Sequence, residues 1–272
     1  MNILELIQLK YLEFSIKEQK IADYILENVK YIENMNITVF AQNCNVSTAT
    51  VTRFCQKLDC QSFVNLKIKL SSINLTSPSI STINDPLNKV YSFYKDILNI
   101  SKDLVNLKDL EVLYDKIKSA KRIYIYGVGS SGLTGIEFML RLIRMGFHCQ
   151  AITDSHLMII NSSILNENDL VIALSSSGET LDVINAVKLA KKNKCFVASI
   201  TSFPTSTLSE NSDFFIIVPN PNLLTKNSFV NTQFSTLYII DVLTTIFLQE
   251  DEMREKMNIT INSILNNQNN KK

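Results

Sequence analysis

Five short runs between residues 122 and 218 fix the type of fold this chain can adopt: Arg122 to Tyr126, Cys149 to Thr153, Asp169 to Leu174, Phe196 to Thr201 and Phe214 to Val218. They are apolar on both faces, and helical stretches separate them. Strands without a polar face need cover on both sides, and strands joined through helices run parallel. The pattern therefore predicts a buried parallel sheet in an α/β layer fold. The first and third runs end in turns, Gly127-Val128-Gly129-Ser130-Ser131-Gly132 and Ser175-Ser176-Ser177-Gly178-Glu179-Thr180, and each turn opens an amphipathic helical stretch. Glycine allows a tight turn, the first helix amides point outward unsatisfied, and hydroxyls add donors without bulk. Such a pair suits a small anion, above all a phosphate.

The amino-terminal part differs in kind. Residues 1 to about 76 read as short helices with no convincing strand. Ser15-Ile16-Lys17-Glu18 is a capping box, followed at helical spacing by Ile21, Tyr24, Ile25 and Val29. A further helix carries Ile37, Phe40, Ala41 and Cys44 on one face, a third starts at Ser47 and buries Val51, Phe54 and Leu58, and Ser62 caps a fourth with Phe63, Leu66 and Leu70 inward. Ala41, Asn45, Val46, Ser47, Val51 and Phe54 fit two helices crossing through a tight turn, with Asn45 tolerating the left-handed conformation that turn needs. Ser47, Thr48, Ala49, Thr52 and Arg53 are left on the outer face of the second helix, the face that enters the major groove in a helix-turn-helix, where Arg53 could reach a guanine or a phosphate. Lys57, Lys67, Lys69, Lys17 and Lys20 add cations for phosphate positioning, and acidic residues on this face are few.

Between the two parts, residues 77–86 are polar, contain Pro78 and Pro86 and lack periodicity, and read as a linker. The division is 1–76, linker, and 87–272, with helical stretches near 87–105 and 109–120 before the first strand. A last long helix is expected over 228–250 and a frayed polar tail over 266–272. Leu237, Ile240, Leu243 and Phe247 on that helix suit subunit packing and the domain's own core equally well. A chain of 272 residues has room for both domains, and its formal net charge of +1 confines any nucleic-acid contact to a local surface. Five scattered cysteines without a CxxC pair read as reduced thiols, and no second pair or nearby histidine completes a zinc set. The start of the chain has no basic segment followed by a long apolar one, and no run reaches the ~18 apolar residues of a membrane span, so a cytoplasmic protein without membrane contact is expected.

Two rivals for the serine turns have to be weighed. The first turn also fits the G-x-G-x-x-G dinucleotide fingerprint, which asks for an acidic residue about 20 positions on to hold the ribose. Asp154 falls late for that, and a dinucleotide has no use for a second cradle at Ser175 to Thr180, whereas a phosphomonoester uses both. An isomerase would need a general base beside the sugar carbons. Glu179 lies inside the second turn, where it more often points away or caps a helix. His156 follows the second strand and reads as a neutral hydrogen-bonding residue sooner than a catalyst, and His148 as structural. No residue is assigned to catalysis, to a metal or to a cofactor.

On Gly127-x-Gly129-Ser130-Ser131 and Ser175-x-Ser177-Gly178-x-Thr180, the second domain resembles a SIS (sugar isomerase) domain. With Val46-Ser47-x-Ala49-Thr50-Val51-x-Arg53-Phe54-x-x-Lys57-Leu58 in front, the chain from about residue 1 to 250 resembles the RpiR-type, or MurR-type, transcriptional regulators. The resemblance implies an all-α helix-turn-helix bundle followed by an α/β three-layer sandwich with a five-stranded parallel sheet. It implies that a sugar phosphate binds the second domain and alters the affinity of the first for a double-stranded DNA operator. Ser131, Ser175, Ser177 and Thr180 would contact the phosphate, helped by backbone amides around Gly129, Ser130, Ser176 and Gly178. Ser47, Thr48, Ala49, Thr52, Arg53 and Lys57 would face DNA, in a homodimer or homotetramer reading two half-sites. The other function class is a sugar-phosphate isomerase with an accessory helical domain. Two departures from the family pattern stand out: Asp59-Cys60 where relatives often carry glycine and an aromatic residue, and Thr232-Gln233 where many carry Ser-Arg.

Overall fold

A computed structural model describes residues 3–32, 35–71, 86–221 and 233–269. They divide into two compact units, one from the described residues of 1–104 and 219–232 and one from those of 105–218 and 233–272. Of the expected linker over 77–86, residues 77–85 lie outside the described residues, and Pro86 is the first residue of a helix. By compactness the helix Pro86–Leu104 groups with the first unit. After it, the Asn106 side chain caps the next helix by accepting from Lys108 N at 3.0 Å.

Among the described residues the regular elements of the first unit are all helical: α1 (Ile3–Leu9), a 3-10 turn (Tyr11–Glu13), α2 (Ile16–Ile32), α3 (Ile37–Asn43), α4 (Thr48–Lys57), α5 (Phe63–Ser71) and α6 (Pro86–Leu104). The capping box forms as expected, with Ser15 N donating to Glu18 Oε2 at 2.8 Å and Glu18 N to Ser15 Oγ at 3.4 Å. Ile21, Ile25, Phe40, Val51, Phe54, Leu58 and Leu66 are fully buried. Phe14 packs on Phe54 with ring centroids 4.9 Å apart, and Phe40 on Phe63 at 4.7 Å. Asp59 adopts φ 53° and Cys60 is buried behind it. The turn before α5 is thereby kept, because aspartate, like glycine, tolerates the left-handed region.

The second unit is the α/β layer fold: α7 (Leu107–Ser119), β1 (Arg122–Tyr126), α8 (Ser130–Arg144), β2 (Cys149–Ile152), α9 (Ser155–Ser162), β3 (Asp169–Leu174), α10 (Leu181–Lys192), β4 (Phe196–Thr201), α11 (Thr207–Glu210), β5 (Phe214–Ile217), α12 (Phe234–Phe247) and α13 (Asp251–Asn269). The five strands are all parallel, in the order β2-β1-β3-β4-β5. Alternate residues feed two separate cores. Ile123, Ile125, Ile172 and Ile200 join α7, α8 and α12 on one face, while Tyr124, Tyr126, Val171 and Val197 join α9 and α10 on the other. At the amino ends of β1 and β3, Arg122 Nε and Nη2 donate to the two oxygens of Asp169 at 2.7 and 2.6 Å. Burial raises the Asp169 carboxyl pKa, but the guanidinium and the Asn166 N–H outweigh it and hold the group below the ordinary carboxylate range.

The expected long helix over 228–250 is corrected. Its first five residues lie outside the described ones, α12 ends at Phe247, and a tight turn over Leu248–Glu250 leads into α13. Asp251 and Glu252 favour a new helix start there, since carboxylates stabilise the positive end of the helix dipole. The tail from 266 is therefore helical as far as Asn269. The apolar face of α12 is also settled: Ile240, Leu243 and Phe247 are fully buried in the unit's own core, with Leu237 packed against it, so this face is spent before any subunit can use it. Cys44, Cys55, Cys149 and Cys195 are free thiols whose pKa burial pushes up to about 12, so they pack as small apolar groups. Among the described residues no helix is long and apolar enough to cross a membrane.

Candidate functional site

Two surfaces carry the residues that the sequence singles out, one on each unit. On the first unit, α3 and α4 form the helix-turn-helix. Asn45 sits at φ 51°, Val46 N donates to Ala41 O at 2.9 Å, and Ser47 Oγ caps α4 by accepting from Thr50 N at 3.2 Å. Ser47, Thr48, Ala49 and Arg53 are exposed and Thr52 half-buried, its hydroxyl returned to Thr48 O at 3.1 Å. The Lys57 ammonium lies 2.9 Å from the carboxylate of Glu18, an acidic residue 39 positions away. Burial pushes the Glu18 carboxyl up, yet Lys57 and the Ser15 N–H and O–H hold it below the usual range. A concavity beside α4, lined by Ser15, Lys17, Glu18, Arg53, Gln56 and Lys57, collects these groups.

The second surface lies at the carboxyl ends of β1 and β3. These strands are neighbours in the sheet, but α8 leaves β1 toward one face and α10 leaves β3 toward the other. That divergence is a topological switch point, where an open α/β sheet has its crevice. Both serine turns stand there. Gly129, at φ 58°, precedes α8, and no side chain caps that helix. Thr180 precedes α10, which also lacks a side-chain cap. Two helix starts without a side-chain cap therefore stand at the ends of neighbouring strands, with Gly129, Ser130 and Ser177 exposed and Ser131, Ser176 and Thr180 half-buried.

The turns differ in how their hydroxyls are engaged. Ser175, buried, accepts from Gly178 N at 3.1 Å and shares a hydrogen bond of 2.9 Å with Thr180 Oγ1, so it organises the second turn from within. Ser177 Oγ accepts from Glu179 N at 3.2 Å. Gly178 has φ 67°, and a Cβ there would collide with Ser206 Oγ. Ser131 Oγ instead lies 3.4 Å from Oε1 of Gln233, a residue 102 positions away and 6% exposed. Gln233, which the sequence marks only as a departure from the family pattern, is thus a neighbour of Ser131.

Asp154 accepts from Leu157 N at 2.9 Å as the cap of α9, which commits the carboxylate a ribose would need. Glu179 receives both Thr207 N (2.7 Å) and Thr207 Oγ1 (2.8 Å), which holds its carboxylate at α11. His156 is exposed on the first turn of α9, and His148 is exposed with its carbonyl accepting from Ile123 N at 2.9 Å. One more group belongs to the second turn's surroundings: Ser202 N donates to Ser176 O at 3.0 Å, while the fully buried Ser202 hydroxyl has no hydrogen-bond partner among the described residues.

Comparison with known proteins places both surfaces in context. Residues 1–76 match the helix-turn-helix domain of the rpiR family, and residues 116–246 match the SIS domain. An uncharacterized HTH-type transcriptional regulator of Clostridium perfringens is 30% identical over 98% of this chain and 100% of its own length. Another from Haemophilus influenzae is 27% identical over 97% and 96%. Among solved structures, the Vibrio vulnificus NanR protein complexed with ManNAc-6P is 28% identical, covers 96% of this chain and 98% of that one, and superposes with a TM-score of 0.63. The sugar isomerase domain of an RpiR transcription factor from Sphaerobacter thermophilus, 14% identical with a TM-score of 0.59 over 66% of this chain and 97% of that one, shares the fold.

Proposed function

The chain belongs to the rpiR family of helix-turn-helix regulators that carry a SIS domain, and from that membership we propose that its second unit senses a phosphorylated sugar and that occupancy changes the affinity of the first unit for operator DNA. The observation that carries the reading is the pair of uncapped, serine-rich helix starts at the β1/β3 switch point. One phosphate can accept from the amides opening α8 and from the hydroxyls of Ser131, Ser177 and Thr180, with Ser175 keeping the second turn in shape. The Vibrio relative was solved with ManNAc-6P, which makes that compound the first effector to try.

On the first unit, Ser47, Thr48, Ala49, Thr52 and Arg53 read the major groove, with Lys17 and Lys20 on phosphates; Lys57 contributes less because Glu18 holds it. One helix-turn-helix contacts too little DNA for tight binding, so the working form is a homodimer or homotetramer. The buried face of α12 does not supply its interface. An effector controls DNA binding only so far as it prefers one arrangement of the assembly over another. The isomerase alternative lacks a committed base, since Glu179 is engaged at Thr207.

The test is selection of a duplex from a random pool by the full-length protein, followed by titration of that duplex with and without ManNAc-6P and other sugar phosphates. Duplex binding that weakens as salt rises, and that shifts with one sugar phosphate, is expected. Failure to select any duplex at low salt, together with turnover of a ketose or aldose phosphate, would establish the isomerase instead.

A further inference from the structure

Lys57 ends α4 one turn after Arg53, so the two residues share a face of the helix, and both line the concavity that Lys17 also borders. Its ammonium is nevertheless turned toward the protein. It donates to Glu18 Oε2 at 2.9 Å, and the Lys57 carbonyl accepts from Lys10 Nζ at 2.8 Å, so side chain and backbone are both tied to the amino-terminal part of the unit. The two partners are unequally placed: the Lys57 side chain is 46% exposed and that of Glu18 only 8%. The same Glu18 oxygen accepts from Ser15 N and from Ser15 Oγ, each at 2.8 Å. Drawing Lys57 away would leave a nearly buried carboxylate with the Ser15 donors alone. An uncompensated charge at such a site is costly, so a DNA phosphate competes for this ammonium at a disadvantage.

We propose that Glu18 is a positioning residue of the DNA-binding surface: it turns the Lys57 ammonium inward and so withholds one phosphate contact from every duplex the unit meets. The proposal rests on the reading of the first unit as a DNA-binding head. A phosphate contact carries no sequence information, so withholding it lowers affinity for all duplexes alike and leaves recognition to the outer face of α4. Glu18 thereby sets how tightly the unit binds, not where. Because all three donors converge on one Glu18 oxygen, glutamine can keep that geometry, capping box included, while removing the charge that holds Lys57.

The experiment measures dissociation constants by fluorescence anisotropy for the unaltered full-length protein, Glu18→Gln, Lys57→Gln and the double variant Glu18→Gln/Lys57→Gln. Two duplexes of equal length are titrated between about 50 and about 200 mM salt, one selected by the protein from a random pool and one of scrambled sequence. Glu18→Gln is expected to tighten both duplexes by the same factor, about 3- to 10-fold at about 0.1 M salt, and to steepen the dependence of log affinity on log salt by about one for each head bound. In the Lys57→Gln background the same change should move that slope far less, because Glu18 acts through Lys57. Unchanged or looser binding by Glu18→Gln, or equal steepening with and without Lys57, overturns the proposal. Tightening confined to the selected duplex also overturns it, since Lys57 would then be reading bases. If Glu18→Gln does not fold, Glu18→Asp decides: it draws the carboxylate back from Lys57 by one methylene and should steepen the slope in the same sense, and an unchanged slope overturns the proposal. Failure of the unaltered protein to bind either duplex at low salt would instead defeat the DNA-binding reading beneath it.

Discussion

The two serine turns look alike in sequence and are built differently. The turn after β3 satisfies itself: Ser175 bonds to Gly178 N and Thr180, Ser177 to Glu179 N, and Glu179 to Thr207. The turn after β1 has no such internal set. Its Ser131 hydroxyl meets Gln233, and its backbone is held from outside the turn, by Gly127 N donating to Ile152 O and Thr134 Oγ1 to Ser130 O. One wall of the crevice is thus preformed and the other is set by a residue from the far end of the unit. A rigid wall supplies affinity without an ordering cost, and an adjustable wall is where occupancy can be registered.

Substitutions can break this contrast or sharpen it. The largest effect on stability should fall on both turns equally, at their shared base. Asp169→Asn leaves Arg122 without its buried partner and should cost about 3 kcal/mol in denaturant unfolding, a breach of a buried pair moderated by the partial exposure of Arg122. The same carboxylate gives a pH signature. Its pKa is lowered in the folded chain, so its contribution is complete above the unfolded value near ~4 and is lost as pH falls through the lower folded value. Unfolding midpoints of Asp169→Asn should accordingly fall less between pH 5 and about pH 3 than those of the unaltered protein.

Gly178→Ala strikes only the preformed wall. It combines a left-handed backbone with a collision at Ser206, and about 2–3 kcal/mol of lost stability is expected together with loss of effector binding. Ser175→Ala should cost about 1–2 kcal/mol, since Gly178 N loses its side-chain acceptor, whereas Ser131→Ala should leave the thermal midpoint within about a degree and still weaken ManNAc-6P binding. Equal destabilisation by the two alanines would erase the contrast. Ser202→Ala has the smallest effect and the opposite sign: removing a buried hydroxyl without a partner should raise stability by about 1 kcal/mol, and a fall instead would mean that the hydroxyl is satisfied by water.

What could be read in the sequence was local. The ends of β1, β3 and β4, the Ser15–Glu18 box, the left-handed Asn45 and the cap at Ser47 all follow from neighbours within a few positions, where periodicity and capping act. Two uncapped serine turns could likewise be foreseen at the ends of β1 and β3. What escaped was pairing across long separations. Lys57 counts as a free cation until Glu18 is folded against it from 39 positions away, and Gln233, noticed only as a departure from the family pattern, has no visible neighbour until the fold brings it to Ser131. The sequence reading ends the long helix at 250, three residues past Phe247, but does not foresee α13 beyond the turn. The apolar face of α12 was legible, but which partner buries it depends on the sheet.

The most direct measurement of the central claim is the dissociation constant of a self-selected DNA duplex, determined by fluorescence anisotropy for the unaltered protein and for Ser131→Ala, each with and without saturating ManNAc-6P or whichever sugar phosphate binds. The account predicts that the effector shifts the unaltered protein's constant about 5-fold or more, within the usual range of coupling between sites, and that Ser131→Ala binds the duplex as tightly as the unaltered protein but no longer responds. A sugar phosphate that binds without moving the constant, or an undiminished response in Ser131→Ala, would contradict it.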